Sequence, residues 1–313
     1  SVLTPEQPRS HCMLYGFIGI GNLGSRLASN LLQAGHQLQI HDLDESLATE
    51  LVARGARWSQ SPAAAADGAD AVITCMPNPA ASSAVMLGDA GALETLGREA
   101  TWLEVSTSTL KDIESIMGHD KATHINVLEC PVTGGLHRAA RGEMTMFVGG
   151  EKAVFEQHEA ALEAMCQPVY HLGPLGSASL LKVITNMLCL IDLVAMGEAL
   201  MLAKQGGLDL ATCYRAICDS SGTSREFEDW APAILNGSYD TGFTLDLALK
   251  DLGFGVDYGR DMGVPLALTT QVRAMLEQAR ETYGGEAWTP HVIKLLEDQV
   301  GIELRAEGFP PVY

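Results

Sequence analysis

Leu14-Tyr15-Gly16-Phe17-Ile18-Gly19-Ile20-Gly21-Asn22-Leu23-Gly24 is the stretch on which the fold turns. Leu14 to Ile20 is a short apolar run with the composition of a buried strand. A helical pattern starts at about Asn22, and its apolar face carries Leu23, Leu27 and Leu31. Between the two, the glycines at 19, 21 and 24 space out as G-x-G-x-x-G. In a strand–turn–helix the first glycine makes the tight turn and the second lets the backbone approach a pyrophosphate. The third permits close helix–strand packing. The amides that open the helix lack partners within it and face the phosphates. The next strand, Leu38 to His41, runs into Asp42, 23 residues beyond Gly19. A carboxylate there accepts hydrogen bonds from an adenosine ribose and repels a 2′-phosphate, which favours NAD over NADP.

Outward from this motif, strands and helices alternate with short connections. Gly35 stands where a helix C-terminal glycine belongs, Asp44 caps a helix ending near Gly55, and Ser61-Pro62 opens a short alanine helix. Further strands are expected at Ala71 to Cys75, Trp102 to Val105, Ile125 to Leu128, Met144 to Val148 and Val169 to Leu172. Such alternation predicts a mostly parallel sheet covered on both faces. From Ser177 to about Gln205 runs one long apolar helical pattern without proline, long enough to join two domains. Helical segments follow near 208–219, 223–235, 245–262, 264–283 and 288–299. The expected boundary lies at Gly173-Pro174-Leu175-Gly176, giving domains over 13–174 and 175–313. Residues 1–12 are polar, contain Pro5 and Pro8, lack the apolar stretch of a secretory signal, and read as a flexible leader ahead of Met13 as the natural start.

The chain has 313 residues, about two domains' worth, with 47% hydrophobic and 19% charged residues, which excludes a disordered chain. Its net charge is −19, from 39 acidic and 20 basic residues, and neither half holds a basic surplus. A phosphate-neutralising nucleic-acid surface and attraction to an anionic membrane are therefore not expected. No unbroken apolar run reaches 18 residues, so no transmembrane helix is expected. Seven cysteines lie singly, several in apolar runs, as in a protein of the reducing cytoplasm. The nine histidines show no zinc-ligand spacing, so no metal is expected.

Two further segments carry chemistry-bearing residues. Lys182 and Asn186 are spaced i, i+4, which puts both on one face of the long helix beside the expected boundary. Leu180, Leu181, Val183 and Ile184 surround the lysine, which must either snorkel to the surface or be kept for proton transfer with a pKa lowered by burial. The spacing alone leaves both readings open. Glu129-Cys130-Pro131-Val132-Thr133-Gly134-Gly135 is a strand end running into a glycine loop, either an amide nest for a carboxylate or simply a turn.

Together these segments resemble the β-hydroxyacid dehydrogenase family from Leu14 to about Glu303. Gly16 to Gly24 is similar to its cofactor fingerprint, which places Gly19, Gly21, Asn22, Leu23 and Gly24 against the cofactor with Asp42. Ser106-Thr107 resembles the second cofactor-side motif, and Pro131 to Gly135 the substrate loop. Gly176 to Asn186 is similar to the catalytic helix, and Phe243 through Lys250-Asp251-Leu252 to a C-terminal motif near cofactor and substrate. The resemblance implies a Rossmann-type, doubly wound α/β domain followed by an all-α domain joined by a long interdomain helix. It implies Lys182 as general acid/base with Asn186 as its partner, and Thr133, Gly134, Gly135 and Lys250 around the substrate carboxylate. Met76, Pro77, Thr107, Lys250 and Asp251 would add to the NAD site. Departures from the family pattern are Thr133 for serine, Arg138 and Glu143 for smaller residues, and Leu110 for proline. Roles for His137, Arg138 and Arg225 are not assigned.

The reaction so implied is hydride exchange between a nicotinamide and a small anionic 3-hydroxy acid or its semialdehyde, in a homodimer or homotetramer. Three alternatives share part of the pattern. A 6-phosphogluconate-type enzyme needs a cation cluster for its phosphate, and none follows Asn186. Imine reductases generally carry Asp or Tyr at the position of Lys182. Non-catalytic dinucleotide-binding relatives have typically lost that lysine.

Overall fold

The computed structural model describes residues 12–310, so the expected leader lies, but for Cys12, outside the described residues. Two compact units emerge, the first ending at Lys182 and the second beginning at Val183. The division falls inside a helix because the first turn of that helix is tied to the first unit by Glu129.

In chain order the first unit contains β1 (Leu14–Ile18), α1 (Gly24–Gln33), β2 (Gln37–His41), α2 (Thr49–Ala53), β3 (Arg57–Trp58), α3 (Pro62–Ala66), β4 (Ala71–Thr74) and α4 (Pro79–Leu87). There follow β5 (Thr101–Glu104), α5 (Leu110–Met117), β6 (Asn126–Glu129), β7 (Val132–Thr133), α6 (Leu136–Ala139), β8 (Thr145–Gly150), α7 (Lys152–Met165), β9 (Val169–Gly173) and the start of α8 (Ser177–Gln205). Among the described residues the strands form one sheet in the order β3-β2-β1-β4-β5-β6-β8-β7, with β9 paired to β8. All pairs from β3 to β6 are parallel, while β8 runs antiparallel to both β6 and β7. Phe17, Leu27 and Leu103 pack on one face, and Ile18, Trp102 and Ile113 on the other. Burial on both faces is why these strands read as continuous apolar runs rather than alternating ones. This is a Rossmann-type arrangement, with the strand order reversing between β1 and β4.

Capping chemistry sets several helix starts. Ser61 and Asn78 each accept an amide hydrogen bond ahead of a proline, and Thr109 forms a capping box with Asp112. Asp44 caps as expected, but what it caps is a 3₁₀ turn, Glu45–Ala48, that leads into the short α2. The two-residue strands β3 and β7 were not expected, being too short to show a pattern.

The second unit is all-helical: the remainder of α8, then α9 (Leu210–Cys218), α10 (Arg225–Leu235), α11 (Leu245–Met262), α12 (Ala267–Tyr283) and α13 (His291–Val300). Its core joins Leu190, Leu200, Ile234, Leu252 and Leu276. Buried Glu297 anchors the following segment, accepting hydrogen bonds from Leu304 N at 2.7 Å, Arg305 Nη1 at 2.9 Å and the Tyr239 hydroxyl. By length and composition α8 could cross a membrane, with a window of mean hydropathy 1.8 that the unbroken-run criterion missed because polar residues interrupt it. Its apolar side chains Leu190, Leu193 and Leu200 are spent on the core of the second unit. Of the cysteines, Cys130 and Cys166 are buried, Cys12 is exposed and the other four are half-buried.

His158 of α7 is buried between the Tyr15 hydroxyl and Thr101 Oγ1, at 3.3 and 2.9 Å, and burial pushes its imidazole down to about 4. The unfolded chain protonates the same group near its ordinary 6.5. The stability this neutral histidine contributes is complete above 6.5 and is lost as pH falls toward 4, by about 1.4 kcal/mol per pH unit for one proton. Urea titrations across this range should show His158→Gln with a pH slope smaller by about one proton; an unchanged slope would refute the assignment.

Candidate functional site

Strand register places the sequence motifs at one level. Ile18 pairs with His41 on one side and Thr74 on the other, Thr74 with Glu104, and Glu104 with Glu129. The segments leaving these positions are Gly19–Leu23, Asp42, Cys75-Met76-Pro77, Val105-Ser106-Thr107 and Cys130-Pro131. All leave from the carboxyl ends of parallel strands, where open α/β sheets bind ligands.

Gly19 has φ +92°, its amide donates to His41 O at 2.9 Å, and a Cβ there would collide with Cys75 O and Met76 Cε. A Cβ on Gly24 would strike Gly19 O, so the helix can approach the strand end this closely only with glycine. A Cβ on Gly21 would meet nothing within 4 Å: the space before the loop is open. No side chain caps α1 and no acidic residue occupies its first turn. An open loop and an uncapped helix start with no acidic residue in its first turn fit a dinucleotide's diphosphate. Asn22 is exposed and Leu23 half-buried at the rim of this loop.

Asp42 is already engaged with the backbone. Its Oδ2 accepts from Ile20 N at 2.8 Å and its Oδ1 from Asp44 N at 3.2 Å, so the carboxylate braces the glycine loop. Met76 N donates to Ser106 Oγ at 2.7 Å, and Ser106 N donates to Glu104 Oε1 at 2.8 Å. This chain ties together the turns after β4 and β5, with Thr107 half-buried and Pro77 exposed beside it. Glu104 is buried, and burial pushes its carboxyl up to about 7 against the pull of its hydrogen bonds. Burial also pushes the Cys75 thiol up to about 12.

Thr133 ends β7, and Gly134 and Gly135 form the turn between it and α6. Gly134 has φ +130° and Gly135 φ 80° with ψ 165°. Gly135 thus lies outside the left-handed well, and the two do not make the right-handed/left-handed alternation of an amide nest. Of the nest and the simple turn that the sequence left open, these angles fit the turn, which offers one threonine hydroxyl beside two glycine amides.

Lys182, on the second turn of α8, is 7% exposed. It does not snorkel. Ahead of it, Ala178 N donates to Glu129 Oε1 at 2.7 Å and the Ser179 hydroxyl donates to Glu129 Oε2. Sequence reasoning gave no part to the Glu129 and Glu104 side chains, although each is the lone charge closing its strand and each holds backbone donors nearby.

In the second unit, buried Asn186 donates through Nδ2 to Asp251 Oδ2 at 2.6 Å. Lys250 Nζ pairs with Asp251 Oδ1 at 2.9 Å and lies over the Phe254 ring, 5.3 Å from its centroid. The structure therefore brings Asn186, Lys250 and Asp251 together on α8 and α11. Part of the Lys250 charge is already matched by its neighbour.

Comparison with known proteins agrees with this geometry. Residues 14–173 match the family described as the NAD binding domain of 6-phosphogluconate dehydrogenase. Residues 176–296 match that described as NAD-binding of NADP-dependent 3-hydroxyisobutyrate dehydrogenase. The chain is 31% identical to 2-(hydroxymethyl)glutarate dehydrogenase of Eubacterium barkeri, over 92% of this chain and 96% of that one. It is 32% identical to L-threonate dehydrogenase of Cupriavidus necator, over 92% and 97%. Among solved structures it is similar to 3-hydroxyisobutyrate dehydrogenase from Salmonella typhimurium, with TM-score 0.83 and 28% identity over 90% and 99% of the two chains.

Gly24→Ala should cost about 1–3 kcal/mol by overpacking the strand–helix contact. It should also weaken binding of NADH, read by thermal unfolding and by fluorescence of the reduced nicotinamide. Wild-type values of both would show that the close approach is not required.

Proposed function

The chain belongs to the β-hydroxyacid dehydrogenase family, NAD-dependent oxidoreductases acting on hydroxyl donors, and from that premise we propose that Lys182 is its general acid/base. The substrate class is a small anionic 3-hydroxy acid or the matching semialdehyde. The observation that carries the reading is Lys182 buried at the start of α8, one turn ahead of Asn186. Desolvating an ammonium is costly, and a protein that only bound a dinucleotide would gain nothing from it.

When bound, NAD supplies the two-electron acceptor. Gly19, Gly21, Asn22, Leu23 and Gly24 hold its diphosphate, Asp42 its ribose, and Met76, Pro77, Thr107, Lys250 and Asp251 the remainder. Lys182 takes the proton of the substrate hydroxyl during oxidation and returns it during reduction. Asn186, whose Nδ2 donates to Asp251 Oδ2, orients the lysine or the substrate hydroxyl. Thr133 and the amides of Gly134 and Gly135 anchor the substrate carboxylate. Lys250, restrained by Asp251, adds positive charge for an anion that a chain of net charge −19 repels at long range. Free cysteines support a cytoplasmic setting, and exposed Ile184, Leu188 and Leu202 on α8 support assembly into a homodimer or homotetramer.

A panel of 3-hydroxyisobutyrate, 2-(hydroxymethyl)glutarate, L-threonate and L-serine with NAD, followed by NADH absorbance, tests this reading. One compound should turn over, and Lys182→Ala should lose about 10²–10⁴-fold in kcat while retaining NADH binding. Unchanged turnover in the variant would remove Lys182 from the mechanism. Asp42→Ala should weaken NAD more than NADP in the same assay, whereas equal loss of both would refute the ribose assignment.

A further inference from the structure

Glu129 closes β6 with its side chain wholly buried at 0% exposure. Both carboxyl oxygens are spent on the opening turn of α8, Oε1 on the Ala178 amide at 2.7 Å and Oε2 on the Ser179 hydroxyl. These contacts span about fifty residues of sequence and join a rigid central strand to the helix that carries Lys182 three residues after Ser179. The amide end of a helix attracts an acceptor that is anionic or polar, and a buried acceptor gains more from it than an exposed one. Room for the carboxyl group is kept by Gly149 of β8, where a Cβ would collide with Glu129 Oε1. The neighbouring strand repeats the device: Glu104, in register with Glu129, holds the amide of Ser106 on the turn that binds Met76 N.

We propose that Glu129 is a positioning residue for the reaction, fixing the first turn of α8 on the sheet and thereby the place of the Lys182 amine. The inference rests on the reading of Lys182 as acid/base. Glu129 itself touches neither substrate nor cofactor: its effect is transmitted through the Ala178 and Ser179 contacts. A misplacement of about 1 Å in a reacting group costs on the order of 10²-fold in rate.

The test measures kcat, KM for NAD and NADH affinity for Glu129→Ala, Glu129→Gln, Glu129→Asp, Ser179→Ala and the Glu129→Gln/Ser179→Ala pair, on whichever panel compound turns over. Glu129→Ala should lose about 10²-fold in kcat with KM for NAD and NADH affinity unchanged. Glu129→Gln, which keeps an acceptor for Ala178 N, and Glu129→Asp should each recover part of that loss. The double variant should lose less than the product of its two single losses, because both act on one contact. Where Glu129→Ala fails to fold, Glu129→Gln and Ser179→Ala carry the test. Wild-type kcat in folded Glu129→Gln and Ser179→Ala, or a loss of NADH affinity matching the loss of kcat, would overturn the proposal. Lys182→Ala separates the two failures: an active Lys182→Ala refutes the acid/base reading, while an inactive one beside wild-type Glu129 and Ser179 variants refutes only this inference.

Discussion

Parallel register along one row of strand ends is the constraint on which the remaining features depend. His41, Ile18, Thr74, Glu104 and Glu129 are mutual neighbours across five strands. Every turn that follows them is therefore delivered to the same edge of the sheet. A shift of one residue in any pair would turn its strand's side chains to the other face and move its turn away from that edge. The glycine loop, the Asp42 brace and the Met76–Ser106–Glu104 chain are consequences of this alignment rather than separate inventions. The same edge lies beside the β1/β4 reversal in strand order, where a dinucleotide finds its crevice.

Two buried glutamates stand at the end of this row. They organise backbone donors, Glu104 on the turn after β5 and Glu129 on the start of α8. A carboxyl group suits this because its oxygens accept, and the groups needing partners are amides at a turn and at a helix start. In the second unit Asp251 plays a related part, holding Asn186 and Lys250 at once. Three carboxylates thus fix the positions of the groups proposed to act, and none of the three is proposed to exchange a proton with substrate.

What could be read from the sequence follows how local each signal is. Gly19, Gly21 and Gly24 announce the strand–helix turn because three adjacent steric demands coincide within six residues. The span of α8 was readable because its apolar pattern runs unbroken by proline between Gly176 and Gly206. The strands β3 and β7 were not, since two residues cannot display a period. The 3₁₀ turn after Asp44 escaped notice because a capping residue marks where a helix begins and not its pitch. Glycine composition left a nest or a simple turn open at Gly134-Gly135, since the choice is a matter of φ and ψ, and the extended ψ of Gly135 fits the turn. Glu129 was hidden for a different reason: its partners, Ala178 and Ser179, lie 49 and 50 residues away, and no spacing rule links them. The burial of Lys182, by contrast, was one of two outcomes its apolar surroundings allowed, and the structure selects it.

The most direct measurement follows the transferred hydrogen itself. The enzyme is incubated with NAD and a 3-hydroxy acid carrying deuterium on the carbon that bears the hydroxyl, and the reduced nicotinamide is examined by mass spectrometry and proton NMR. The account predicts deuterium at C4 of the nicotinamide, on one face only, with none lost to solvent. Reduced nicotinamide lacking the label, or product formed with the label washed into water, would contradict hydride transfer and with it the role given to Lys182.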